Sequence, residues 1–387
     1  MLPTLNNLIS KIPTTPLAIF LYIYTSIILI YSIWLYKKLS VYYRHLTYKK
    51  FPNGEPIDVG EIYEEFQMKD NLSFLRIFLG NYFIVIIRGP INIILAICQN
   101  ISLKSDIKNL KNPTTEKKDW EILSKTISKY TSWLFFVNGI KIINKKLPYI
   151  ETYKKYLGPD YKFTPNEKYS LIISNHLGFY DVVVNMIINS SGFIAKSDVE
   201  NYCFVGPIAK GINCLFVKRD SQENRDKVFE ILEERQKKFY EGKLLSPLCL
   251  FPEGTTTSGR HILKFKKGAF YALLPIKPEL ILIDQNDDMS FGVGVSSVVY
   301  NYLRSLCYLR HKIFFVDLPV IKPTNFMWEN YNHLGKEKWE VFAEVTRKIL
   351  CEISGLKPSN KNYRDSLKYE EALYCGEYKE QNQPLLS

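Results

Sequence analysis

Cysteine is scarce and unpaired in this sequence. The 387 residues hold seven, at positions 98, 203, 214, 249, 307, 351 and 375, with no C-x-x-C pair. An odd, scattered set supports neither a disulfide framework nor a zinc site, and fits reduced thiols facing the cytosol. Glycine and proline, 19 each, are too few for a collagen-like chain. Zinc-finger spacing and a heptad repeat behind a basic region are both missing, so no nucleic-acid-binding module is present and no nucleic acid partner is expected. There is no internal repeat and no D-x-D-x-D-G calcium loop. Apolar residues are also too sparse for a polytopic channel or transporter, since the mean hydropathy is −0.12.

What the chain does have is a core's worth of apolar material. Hydrophobic residues make up 46%, aromatics 14% and charged residues 23%, which excludes intrinsic disorder. The formal charge is +12. Such an excess suits nucleic acid, an anionic membrane surface or a soluble anionic substrate.

Leu17 to Tyr36 (LAIFLYIYTSIILIYSIWLY) carries no charge. As a helix it would rise about 30 Å, the thickness of a bilayer's hydrocarbon core. Only Lys11 precedes it, whereas Lys37, Lys38, Arg44, Lys49 and Lys50 follow. A cleaved leader has the opposite charge pattern, so the segment reads as a membrane anchor with the following chain in the cytosol. In Leu72 to Cys98, Arg76 and Arg88 bracket eleven uncharged residues and Pro90 follows. Each piece is too short to cross alone and a mid-span arginine is costly. An amphipathic or re-entrant helix hairpin in the cytosolic leaflet is therefore expected. A second span is the alternative, and would move the remainder to the other side.

Residues 101–120 read as a lysine-rich linker with short helical content and Glu121 to Val137 as an amphipathic helix. From about Lys168, short β-rich runs take over: 169–174, 192–196, 214–218, 247–251, 280–284 and 313–320. Helical segments lie between them, the clearest being Asn224 to Gly242, where Val228, Ile231, Leu232, Arg235 and Phe239 share helical spacing. Alternation of this kind predicts an α/β fold, a largely parallel sheet flanked by helices, behind the N-terminal membrane helices. The expected divisions are an anchor with basic flank over 1–50, membrane-associated helices and linker over 51–135, the main domain over 136–345, and a C-terminal helix with polar tail over 346–387.

Three segments carry chemistry. SNHLGFYD (174–181) follows a strand, and its His176 and Asp181 are spaced so that the carboxylate folds back onto the imidazole. An aspartate on one ring nitrogen fixes the tautomer and leaves the other as a base. GINCLFVKRD (211–220) ends a strand in Lys218 and Arg219, and arginine suits capture of a phosphate. LCLFPEGTTTSGR (248–260) delivers Glu253, Gly254 and Thr255 to a strand end, with Lys264, Lys266 and Lys267 downstream. Taken singly, each also fits something plainer: a helix-capping aspartate beside a surface histidine, surface charge, or a simple turn.

Taken together, in this order, the blocks resemble the glycerolipid acyltransferase family, with a fourth block at Val316 to Val320. AKSDVENYCFVGPIAKGINCLFVKRDS, FPEGTTTSGRHILKFKKGAF and DLPVIKP look like the lysophosphatidylcholine or lysophosphatidylethanolamine branch. The resemblance covers roughly residues 130–345. Two departures stand out: Leu177 and Gly178 follow His176 where the family usually has a serine, and Lys218 replaces an acidic residue or Asn before the arginine.

The resemblance implies acyl transfer from acyl-CoA, a co-substrate rather than a bound cofactor, to a lysophospholipid at a membrane of the endoplasmic reticulum. No metal is implied. His176 would be the base and Asp181 its orienter. Arg219, Glu253, Gly254 and Thr255 would bind the acceptor, and Lys218, Lys264, Lys266 and Lys267 would meet phosphates of CoA or lipid. The alternatives are acylation of 1-acylglycerol 3-phosphate or glycerol 3-phosphate, CoA-independent transacylation, and a non-catalytic membrane-tethered lipid binder. The sequence assigns no oligomeric state.

Overall fold

Leu171, Ile172 and Ile173 lose all contact with solvent, and the sheet around them organises the chain. The computed structural model describes residues 15–45, 74–202, 205–217, 222–257, 259–283 and 298–368. In chain order the elements are α1 (Pro16–His45), α2 (Phe74–Asn109), α3 (Lys117–Val137), β1 (Ile140–Asn144), α4 (Ile150–Leu157), β2 (Leu171–Ser174) and α5 (Phe179–Asn189). There follow β3 (Ile194–Lys196), α6 (Val205–Gly211), β4 (Leu215–Val217), α7 (Gln222–Tyr240), β5 (Cys249–Leu250) and β6 (His261–Ile262). The last described elements are β7 (Ile276–Ile283), α8 (Val298–Leu306), β8 (His311–Asp317), α9 (Asn325–Tyr331), α10 (Lys338–Ser354) and β9 (Lys357–Pro358).

The central sheet has the order β1-β8-β7-β2-β5. All its pairings are parallel except β7 with β8. The α/β fold with a mostly parallel sheet is therefore as the sequence predicts. β2 is buried on both faces, as expected of a strand with helices above and below. On one face α4, α7 and α10 close a core around Tyr153, Leu232 and Phe342. On the other, α3, α5 and α6 pack through Ile127, Val184 and Ala209. Full burial of a valine, leucine, isoleucine or phenylalanine among these is worth about 1.5–3 kcal/mol.

Two expected boundaries do not mark edges. Residue 345 falls inside α10, whose Val341, Phe342, Val345, Ile349 and Ile353 form one buried stripe in the main core. Residue 135 lies in the last turn of α3, where the Phe135 ring packs against Tyr180 at 5.8 Å. The boundary at residue 50 lies outside the described residues.

The expected hairpin at 72–98 is also corrected. Phe74 to Asn109 is one helix of 36 residues with a π-turn at Asn81–Val85, and it absorbs most of the stretch read as a linker from 101. Pro90 lies inside it. Arg88 does not break it, because the guanidinium turns inward. It donates to the carbonyls of Leu306 (3.1 Å), Tyr308 and Leu309 (2.9 Å). Its neighbours on that face, Asn81 and Asn92, bond to Ser32 and Asn138. The opposite face exposes Leu75, Leu79, Phe83, Ile87, Ile94 and Ile101. Polar groups inward and apolar groups outward invert the pattern of a water-soluble helix. Both α1, over Pro16–Leu39, and α2 are long and apolar enough to cross a membrane.

Candidate active site

β2 ends at Ser174, and Asn175 then takes over its pairing. The Asn175 carboxamide donates to the carbonyl of Ile281 (2.9 Å) and accepts from the Ile281 N–H (2.8 Å), both on β7. The backbone is thereby released from the sheet, and His176 stands at the rim. Gly178 caps α5 with a φ of 155°, a region that favours glycine. One turn into the helix, Asp181 points back at the histidine.

The contact between them is close. Asp181 Oδ2 lies 2.8 Å from His176 Nδ1 and also accepts the N–H groups of Leu177 and Gly178, while Oδ1 accepts from Val182. Asp181 is buried; the His176 side chain keeps 22% of its surface exposed. A carboxylate at that distance requires Nδ1 to carry the proton, so Nε2 presents its lone pair. Among the described residues nothing bonds Nε2. The Phe251 ring lies flat against the imidazole, 4.1 Å away at 11°, and Phe193 stacks in turn on Phe251. Burial pulls the imidazole pKa down, but the charge and hydrogen bond of Asp181, with the charge of Glu253, outweigh it and leave His176 above its ordinary value.

The FPEGT loop meets His176 from β5. Glu253 has no exposed surface, and its Oε1 accepts the backbone N–H of His176 at 3.0 Å. Its Oε2 accepts the N–H of Leu263 at 2.9 Å. Burial pushes this carboxyl up to about 7, although the two N–H groups and His176 pull the other way. Gly254 turns the chain at φ +74°, with the Lys266 side chain against the space a Cβ would fill. Thr255 Oγ1 lies 3.2 Å from Ser366 Oγ. Thr257 N–H donates to the His176 carbonyl at 2.9 Å.

The lysines diverge. Lys266 Nζ sits 3.3 Å over the Tyr363 ring, Lys267 lies over Tyr271, and Lys264 is exposed. Lys218 and Arg219 lie outside the described residues. His176, Asp181, Glu253, Gly254 and Thr255 thus come together, while the three described lysines face different neighbours.

Two features of the site have little sequence signal. Phe251 reads simply as the end of an apolar strand. The segment 357–366 is remote in sequence, yet it runs beside the loop: β9 pairs with β6, and Lys264 N–H donates to Lys361 O at 3.0 Å. Among the described residues no three His, Cys, Asp or Glu side chains gather as a metal would need.

A family model described as Acyltransferase matches residues 159–281, which contain His176, Asp181 and the FPEGT loop. This stretch is an acyltransferase-family domain. The chain is similar to lysophospholipid acyltransferase LPEAT1 of Arabidopsis thaliana, with 29% identity over 208 residues, 54% of this chain and 50% of that one. It is similar to human lysophosphatidylcholine acyltransferase 1 at 23% identity over 205 residues, 52% of this chain and 36% of that one. The chain spans half or less of the length of these relatives. The solved 1-acyl-sn-glycerophosphate acyltransferase PlsC of Thermotoga maritima aligns with 70% of this chain and 100% of its own, at 15% identity and a TM-score of 0.40.

Proposed function

We propose that this chain is a membrane-bound acyltransferase that moves a fatty acyl group from acyl-CoA to the free glycerol hydroxyl of a lysophospholipid, with lysophosphatidylcholine or lysophosphatidylethanolamine as acceptor. The observation that carries the reading is the His176–Asp181 pair, with Nδ1 committed at 2.8 Å and Nε2 open at the rim of the sheet. The relatives support it, being lysophospholipid and lysophosphatidylcholine acyltransferases by name.

The donor thioester is already activated, so no covalent enzyme intermediate is needed. His176 Nε2 takes the hydroxyl proton as the lipid oxygen attacks the thioester carbonyl carbon. The C–S bond then breaks, an ester C–O bond remains, and the imidazolium returns the proton to the departing CoA sulfur. Asp181 stabilises the imidazolium, as in a Ser-His-Asp triad whose alcohol belongs to the substrate. Arg219 would hold the acceptor phosphate, with Gly254 and Thr255 beside the glycerol. Lys218, Lys264, Lys266 and Lys267 are proposed contacts for anionic CoA or lipid groups.

Helices α1 and α2 support a membrane setting, where an acyl chain reaches the site without crossing water; the endoplasmic reticulum is the compartment this reading assigns. A panel of lyso-acceptors assayed with one acyl-CoA tests the proposal. Transfer to lysophosphatidylcholine or lysophosphatidylethanolamine above the other acceptors supports it. Transfer only to 1-acylglycerol 3-phosphate or glycerol 3-phosphate would move the acceptor assignment. Transfer that persists without acyl-CoA would replace the donor, and binding without turnover would end the enzymatic reading.

A further inference from the structure

We propose that Glu253 acts on acyl transfer through His176, as a positioning residue that fixes the peptide carrying the base, and is not a contact for the acceptor lipid. The inference rests on the acyl-transfer reading and assigns one residue within it.

Both oxygens of Glu253 are committed to backbone donors. Oε1 takes His176 N–H at 3.0 Å and Oε2 takes Leu263 N–H at 2.9 Å, with no surface exposed. A substrate hydroxyl has no open path to a carboxyl without exposed surface, and opening one would part it from backbone donors that a folded chain cannot leave bare at low cost. The same loop also takes the other polar group of His176: the carbonyl accepts from Thr257 N–H at 2.9 Å. The two residues that hold the histidine's backbone, Glu253 and Thr257, are thus only four positions apart. Upstream, the Asn175 carboxamide occupies the N–H and C=O of Ile281. The main chain is fixed before, at and after the base, while Asp181 fixes the ring. Only the imidazole's far nitrogen is left open, which is the division of labour a proton acceptor needs.

The long glutamate arm suits this task. It reaches from the β5 turn to two separate backbone segments, at 176 and at 263. The raised carboxyl pKa shows that burial is costly here, and the two N–H groups partly offset it.

The test is steady-state kinetics of Glu253→Ala and Glu253→Gln in membranes with matched expression. Misplacing a catalytic group by about 1 Å costs roughly 10²-fold in rate, so kcat of Glu253→Ala should fall by about that factor with KM for acceptor and donor unchanged. Glu253→Gln keeps one acceptor oxygen and should recover part of the loss; it carries the test if the alanine variant fails to fold. In a His176→Ala background, adding Glu253→Gln should change neither the residual rate nor the binding of lysophospholipid. A raised acceptor KM with kcat retained, or weaker lysophospholipid binding in the double variant, would overturn the inference. Wild-type protein that transfers no acyl group would instead remove the reading beneath it.

Discussion

Asp181 holds His176 Nδ1 at 2.8 Å with the same oxygen that accepts the N–H groups of Leu177 and Gly178. The carboxylate is thus anchored by the turn it serves, and the imidazole has one orientation.

The pH dependence of transfer follows. Burial lowers the His176 pKa, Asp181 and Glu253 raise it more, and the net direction is upward from 6.5. A base works when neutral, so kcat/KM should rise with pH through a limb centred above 6.5. Asp181→Asn removes the main raising charge. Its limb should move to lower pH while the maximal rate drops, and His176→Ala should lose about 10²- to 10⁴-fold. A pH–rate profile of the wild type and both variants checks this; an unmoved limb in Asp181→Asn would count against the pairing.

Glu279 on β7 carries a pH-linked stability term. It is buried, and both oxygens accept from Asn189 Nδ2 at 3.0 Å. Burial, joined by Asp317 and opposed by Asn189 and Lys277, pushes its pKa from 4.5 up to about 8. A raised acid favours the folded state while protonated. That contribution is complete below about pH 4.5 and is lost as pH rises through about 8. The melting temperature should therefore decline between pH 5 and 9, and Glu279→Gln should flatten the decline, on a scale of about 2–4 °C per kcal/mol. Melting curves across that range would decide it.

Strand positions and the His176–Asp181 pair were legible because each is local: apolar runs of four to eight residues, and a carboxylate one turn from a strand end. β1, β6 and β9 were not, since IKIIN is short and bears a lysine and the other two are only two residues long. The continuity of α2 was hidden because the carbonyls that receive Arg88 lie some 220 residues downstream. Sequence spacing registers a charge in an apolar run but not its distant acceptors. The environment of Glu253 was equally hidden, as its partners are backbone N–H groups, which every residue but proline possesses.

Arg88 should resist substitution even by lysine. Its planar fork serves several carbonyls at once, whereas an ammonium is a point donor. Carbonyls left bare in a buried setting cost about 1–3 kcal/mol each. Detergent-solubilised Arg88→Lys and Arg88→Leu should both melt below wild type. Unchanged melting would mean the arginine is dispensable to the packing of α2.

The contact of Thr255 with Ser366 and of Lys266 with the Tyr363 ring predicts a distal effect on the site. Removing residues from 357 onward should lower acyl transfer sharply while leaving the protein in the membrane fraction. Tyr363→Ala should give a milder version of the same loss. Activity equal to wild type in the shortened chain would show that the loop stands without its neighbour.

The family match stops at residue 281, yet β6 completes its pairing only with Lys357–Pro358. A cassette excised at the limits of that match would carry its histidine and aspartate intact and leave behind one wall of the turn beside them. Transplanting this catalyst between scaffolds would mean moving both stretches together with the seventy-five or so residues between them, which carry β8 and α10 of the same sheet and core.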